Sequence, residues 1–115
     1  PQKLSLNEFF LAARSCDPGS EEFASIFETA VRMYPDDPTA NLNAANTALE
    51  RGDLKRAEGY LSKAGSSSEA VYARGVLAAL NGDRESARGH FVRAAGAGIV
   101  EAQRALQQLD AMEGR

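Results

Sequence analysis

Tryptophan is absent from this chain of 115 residues, aromatic residues reach only 7%, and cysteine and histidine occur once each. The single cysteine, Cys16, rules out an internal disulfide and a structural zinc site built on several thiolates, and it leaves reducing and oxidising compartments equally open. The single histidine, His90, has no second imidazole or cysteine cluster with which to hold a metal. It is also far from Cys16, so no nucleophile and base pair is expected. No apolar run approaches the ~20 residues that span a bilayer, and there is no secretory signal pattern. No direct insertion of this segment into a membrane is expected. A basic stripe is missing too: 13 Lys and Arg are mixed with 16 Asp and Glu for a net charge of −3, so no nucleic-acid partner is expected. β-branched residues are scarce and nowhere alternate with polar ones over a useful length, which argues against strands.

What remains is rich in alanine, with 43% hydrophobic and 25% charged residues. That is enough apolar surface for a core and too little net charge for disorder. Alanine favours helices and lets them approach closely. The length suits one domain over 1–115. The chain opens on Pro1 rather than Met, and it is expected to be part of a longer protein.

The chain repeats itself. Glu50-Arg51-Gly52-Asp53 and Leu80-Asn81-Gly82-Asp83 lie 30 residues apart. Ala57, Leu61 and Ala64 follow the first turn, and Ala87, Phe91 and Ala94 follow the second at the same offsets. Ala45 and Ala48 precede the first as Gly75 and Ala78 precede the second. Intervals of three, four and seven place these residues on one helix face. Each unit therefore reads as helix, tight turn, helix, with a left-handed glycine ending the first and an aspartate capping the second. Phe23, Phe27 and Ala30 form a weaker copy, displaced by 34 residues from Ala57, Leu61 and Ala64. Ser5-Leu6-Asn7-Glu8 reads as a capping box opening a helix to about Ser15. Asp17-Pro18-Gly19-Ser20 reads as a turn with Ser20 as the next N-cap, Pro35 as a stop, and Pro38 as the first turn of a further helix. Ser66-Ser67-Ser68-Glu69 reads as a loop and a second capping box. Gly96 and Gly98 are expected to break the chain before a last helix, about Val100 to Met112. The result is an all-α chain of seven helices, three pairs plus one. A plain four-helix bundle fits these short, locally paired helices less well.

The segment Ala40-Asn41-Leu42-Asn43-Ala44-Ala45, followed by Gly52-Asp53-Leu54, Ala57, Leu61 and Ala64, resembles a tetratricopeptide (TPR) unit. Small residues in the first helix (Ala45, Gly75), close-packing alanines (Ala57, Ala87), large apolar residues (Leu61, Phe91) and second alanines (Ala64, Ala94) match that family's pattern. Pro35 matches its closing proline. Asn41 and Val71 stand where the family carries a larger side chain. The resemblance implies a right-handed helical-repeat α-solenoid with units at about 4–37, 38–67 and 68–97 and a capping helix at about 99–112. The run Met33-Tyr34-Pro35-Asp36-Asp37-Pro38, continued by Ala40-Asn41-Leu42-Asn43-Ala44-Ala45-Asn46, also resembles the C-terminal TPR segment of Bacteroides-type cell-envelope proteins. In those proteins the upstream part is an uncharacterised or outer-membrane-protein-A-like domain. A location in the cell envelope, through the parent chain, is what that resemblance implies.

By the same resemblance, first helices line a concave, ligand-facing surface, bearing Leu42, Asn46, Tyr72, Val76, Arg104 and Gln108. Asn43 stands where the family's asparagine contacts a ligand backbone. Such a face suits an extended peptide, a partner helix or a neighbouring domain. The plainer reading of Leu42, Tyr72 and Val76 is packing between units, because helical apolar stripes are usually core. A clamp for a terminal carboxylate is disfavoured: Leu42 and Ala73 stand where charge is needed, leaving Arg104 alone. The expected function is non-catalytic protein or peptide binding by a monomer with no cofactor. The alternative is a structural spacer that assembles through its convex face or its ends.

Other conspicuous residues have structural readings. Arg51-Gly52-Asp53 spells an integrin-recognition tripeptide, but its repetition as Asn81-Gly82-Asp83 marks it as helix punctuation. Cys16 reads as a small packing residue near a helix end. Glu21-Glu22 and Asp36-Asp37 sit near helix starts, where negative charge is favoured. As chain neighbours they do not face each other across a cleft, as paired acid and base work requires. Gly96-Ala97-Gly98 lacks the Lys-Ser/Thr of a phosphate-binding loop and follows a helix rather than a strand.

Overall fold

The computed structural model describes residues 5–17 and 20–113. Over those residues the chain is all-α, with no strand. Its seven helices are α1 (Leu6–Arg14), α2 (Glu21–Met33), α3 (Pro38–Glu50), α4 (Leu54–Leu61), α5 (Ser68–Leu80), α6 (Arg84–Gly96) and α7 (Val100–Glu113). They fall into two compact units, Pro1–Gly65 and Ser66–Arg115.

Short side chains next to the helices set most of the starts. Ser5 and Glu8 form a reciprocal box: the Glu8 amide donates to Ser5 Oγ at 3.2 Å and the Ser5 amide to Glu8 Oε1 at 2.9 Å. The Ser5 amide, and after it the Ser5 hydroxyl, stabilise the ionised carboxylate and pull the Glu8 pKa down. Ser20 accepts from the Phe23 amide at 3.1 Å. Asp37 accepts from Ala40 at 2.8 Å, with Pro38 as the first helical residue. The remainder of the Asp17 to Ser20 turn, Pro18 and Gly19, lies outside the described residues.

The recurrent Gly-Asp pair closes one helix and opens the next within two residues. Gly52 has φ +76° and Gly82 φ +82°, a conformation that glycine adopts without a Cβ clash. With the glycine so turned, the Asp53 amide donates to Ala48 O at 2.8 Å and the Asp83 amide to Ala78 O at 2.9 Å, ending α3 and α5 in Schellman fashion. The same two aspartates then cap forwards. Asp53 Oδ1 accepts from Arg56 N at 3.2 Å and Asp83 Oδ1 from Ser86 N at 3.1 Å.

Three local expectations need correction. The N-cap of α5 is Ser67, which accepts from Ala70 N at 3.2 Å. Glu69 is therefore one residue too early to complete a box with it, and Ser66-Glu69 forms none. Gly96 is helical, the last residue of α6; the left-handed residue is Gly98, with φ +100°. One such residue suffices for the Ile99 amide to reach Ala94 O at 3.1 Å. Finally, α4 stops at Leu61, so Ala64 is not on its helical face. Lys63 and Ala64 instead bond three residues back, to Tyr60 and Leu61. This tightened turn keeps Ala64 buried before Gly65 turns left-handed at φ +80°.

In the first unit the core joins α1, α2 and α3. Phe9, Ala30 and Ala40 form one buried cluster, and Ala13, Phe27 and Ala44 another. Phe27 meets Phe23 edge-on, with ring centroids 5.0 Å apart, a favoured aromatic geometry. Asn41 is the largest fully buried side chain. Its Nδ2 donates to Pro35 O at 3.0 Å and Asp37 O at 2.8 Å, tying the turn between α2 and α3 to the helix it precedes. Asp37 O also receives the Asn41 amide at 3.1 Å, so the side chain is the second donor there and the one that satisfies Pro35 O.

In the second unit Val71, Ala87, Phe91, Ala94, Ala102 and Leu109 form the core. A Cβ placed on Gly75 would lie 2.6 Å from Phe91 Cε1, so the ring occupies the space that glycine leaves open. The preceding pair has the smaller Leu61 with Ala45 at the same two offsets, all buried. Arg88 joins α6 to α7 through Asp110 at 2.8 Å and Glu113.

Candidate functional site

In the first unit α1, α2 and α3 surround a cavity of about 650 Å³. Phe10, Leu11, Phe23 and Phe27 supply its apolar surface, and Asn7, Arg14, Thr39 and Asn43 its polar groups. Asn7, Phe10, Leu11 and Arg14 are spaced i, i+3, i+4, i+7, so one face of α1 points into it. Leu11 remains 61% exposed. Asn43 Nδ2 donates to Thr39 O at 2.9 Å, which holds the side chain against its own helix.

In the second unit α5, α6 and α7 enclose a cavity of about 310 Å³. Tyr72, Val76, Ala79 and Leu80 line it from α5, Phe91 forms part of its floor, and Ala105, Gln108, Leu109 and Met112 line it from α7. Arg84 is the one charged residue among the described residues that line it. Leu80 and Met112 are 53% and 47% exposed, so the cavity is a cleft with apolar lips. Both volumes fall within the range that ligand and anchor-side-chain sites occupy, about 300–1,000 Å³.

Of the residues expected on the binding face, Tyr72, Val76 and Gln108 meet in the second cleft and Asn43 lines the first. Tyr72 and Val76 also pack on the core cluster, Tyr72 with its ring centroid 5.6 Å from that of Phe91. Burial raises the Tyr72 pKa, and the carboxylate of Glu101 raises it further. Leu42 is half-buried, Asn46 and Arg104 are exposed, and none of the three lines either cleft. The cations that do line them, Arg14 and Arg84, were not singled out in the sequence, nor were Phe10, Leu11, Leu80 and Met112. The i, i+3, i+4, i+7 run on α1 was the available signal.

The carboxylate of Asp53 in Arg51-Gly52-Asp53 is engaged as an N-cap and with Arg56, 3.5 Å away. Arg51 lies 3.8 Å from Glu21. The Cys16 thiol is directed at Ala12 O, 3.6 Å away, at the edge of the first cleft. His90 is half-buried with Nδ1 unbonded. Burial lowers its pKa, and Arg93 and Arg74 lower it further, an environment that also repels a metal cation. Among the described residues no group of three or more His, Cys, Asp or Glu is placed to hold a metal, and no helix is long and apolar enough to cross a membrane. No family model, curated protein or solved structure matches the chain.

Proposed function

We propose that this chain is a protein-interaction module of the tetratricopeptide kind, a non-catalytic helical repeat that binds a peptide or a neighbouring domain on the face of its first helices. The right-handed solenoid of three helix pairs and a capping helix belongs to this reading. The observation that carries it is the pair of open apolar clefts, each built by a helix hairpin and the helix that follows. Each presents exposed leucine or methionine at its mouth and amide groups beside it. Surface of that kind is stabilised by being covered, and clefts between helices commonly take an apolar anchor. The repeated turn with its buried alanines supports the family assignment.

The test is capture of a partner from an extract of the source cells, membranes included, by the tagged chain and by two variants. One carries Asn46→Ala, Arg104→Ala and Gln108→Ala; the other carries Leu11→Asp, Leu80→Asp and Met112→Asp. All six positions are exposed, so both variants should keep the parent's circular dichroism. A partner held by the parent and lost by either variant supports the proposal. A partner held equally by all three moves the site away from this face.

Val92 on α6 and Val100 at the start of α7 are 54% and 52% exposed. They favour the second reading, a spacer that assembles through its second helices or its end. Sedimentation that stays monomeric at high concentration would remove that reading.

A further inference from the structure

We infer that the two clefts are matching acceptor sites for acidic amphipathic peptide, each taking an apolar side chain and pairing the carboxylate beside it with its one arginine. The inference rests on the proposed binding function and specifies the chemistry of the partner.

The two sites share their parts. Each has a buried phenylalanine in its floor, Phe27 in the first unit and Phe91 in the second. Each has an exposed apolar residue on the first helix, Leu11 or Leu80, and an amide on the third helix, Asn43 or Gln108. Among the described residues each is lined by a single charged one, and in both it is an arginine. In a chain with 16 acidic and 13 basic residues, no carboxylate among the described residues lines either cleft. The other arginines that bridge helices are matched: Arg51 with Glu21, Arg56 with Glu28 and Asp53, Arg88 with Asp110 and Glu113. Arg14 and Arg84 form no ion pair among the described residues. An unpaired guanidinium beside an apolar cleft is poised to accept a carboxylate through charge-assisted hydrogen bonds, and the apolar walls beside it reduce competition from water.

The occupant is therefore a segment with Leu or Phe next to Glu or Asp. A basic segment would be repelled, and a neutral one would use the apolar floor alone. The site needs no chain terminus, so an internal stretch of a partner suffices.

The experiment is a titration of the ¹⁵N-labelled chain with acetyl-Glu-Leu-Phe-Glu-amide, acetyl-Gln-Leu-Phe-Gln-amide and acetyl-Lys-Leu-Phe-Lys-amide, followed by backbone amide shifts. The Glu peptide is expected to move amides around Leu11 and Arg14 and around Leu80 and Arg84. It should bind about fivefold more tightly than the Gln peptide, the effect of a part-exposed ion pair, and the Lys peptide more weakly still. The advantage should shrink in high salt. Arg14→Gln should erase the Glu-over-Gln preference in the first unit alone and Arg84→Gln in the second alone. Both arginines are exposed, so an unchanged spectrum of each free variant verifies its fold. Equal binding of the Glu and Gln peptides at the clefts would overturn the acidic preference and leave the binding face standing. No shifts at the clefts with any peptide would overturn the inference as a whole, while the capture experiment decides separately on the binding function.

Discussion

Gly75→Ala should destabilise the second unit even though alanine is the better helix former. The added Cβ would lie 2.6 Å and 2.7 Å from Phe91 Cε1 and Cδ1 and 3.2 Å from His90 Cβ. Carbon atoms settle at about 3.5–4.0 Å, so the overlap with the ring is close to 1 Å. Phe91 is only 3% exposed and leans on Tyr72, so the ring has little room to retreat. Overpacking of this kind costs about 1–3 kcal/mol, and the overlap places it near the upper end. Replacing a mid-helix glycine by alanine returns roughly 1 kcal/mol. The net loss should be about 2 kcal/mol. The preceding repeat, with Ala45 and Leu61 both buried at the same offsets, indicates the compensating change. Phe91→Leu alone should cost about 1–2 kcal/mol for the lost ring volume. Combined with Gly75→Ala it should cost less than the sum of the two, with a coupling of about 1–2 kcal/mol. Urea denaturation of the four proteins, followed by circular dichroism and linear extrapolation, reads this directly. A Gly75→Ala protein as stable as its parent, or strictly additive effects, would refute the argument that ring and glycine are matched.

Asn41→Leu should lose about 1–3 kcal/mol despite its apolar side chain, because Pro35 O loses its side-chain donor while Asp37 O keeps the backbone amide of residue 41; the same urea curves measure it. Gly52→Ala and Gly82→Ala force alanine into positive φ and should each cost about 1 kcal/mol. Gly59→Ala and Gly89→Ala, in helices with open space around the new Cβ, should each gain about 0.5–1 kcal/mol, and thermal melts should rank the four. His90 has a folded pKa below its ordinary 6.5, chiefly through burial, so the unfolded chain binds its proton more readily. Stability should therefore be full above pH 6.5 and fall as the pH drops through that value. His90→Gln should remove this part of the slope in unfolding curves taken from pH 7.5 to 5.5; an unchanged slope would assign it to other groups.

Helix identity and most helix ends were legible in the sequence, because the interactions that set them are local. Ser5, Ser20, Asp37, Asp53 and Asp83 each cap through an amide three residues away. A helix-closing glycine acts on carbonyls within about one turn. The choice of Ser67 over Ser66, and of Gly98 over Gly96, was not legible, because adjacent residues offer nearly the same local chemistry. The buried face of the whole helix then decides the register, with Ala70 and Ala94 turned inward. Asn41 looked like a departure from a pattern until the turn folded back over it. The periodic stripes also identified Ala57, Leu61, Ala87, Phe91 and Ala94 as core residues from spacing, while Ala64 is buried by the turn after α4.

The position of the clefts was a tertiary decision. Phe10, Leu11 and Leu80 belong to apolar helical stripes, and nothing in such a stripe tells which members a neighbouring helix will cover. Burial depends on residues far along the chain: Phe27 is covered by α1 and α3, while Leu11 on the same first hairpin is left open. The same holds for charge. Arg14, Arg84 and Arg88 are alike in sequence, but only the packing of α7 against α6 gives Arg88 its two carboxylates. The sequence by itself determined the helices, their caps and the spacing of the core, because these are set within a turn or two of chain. The tertiary structure decided which apolar and cationic side chains remain available, because exposure depends on what the rest of the fold brings alongside.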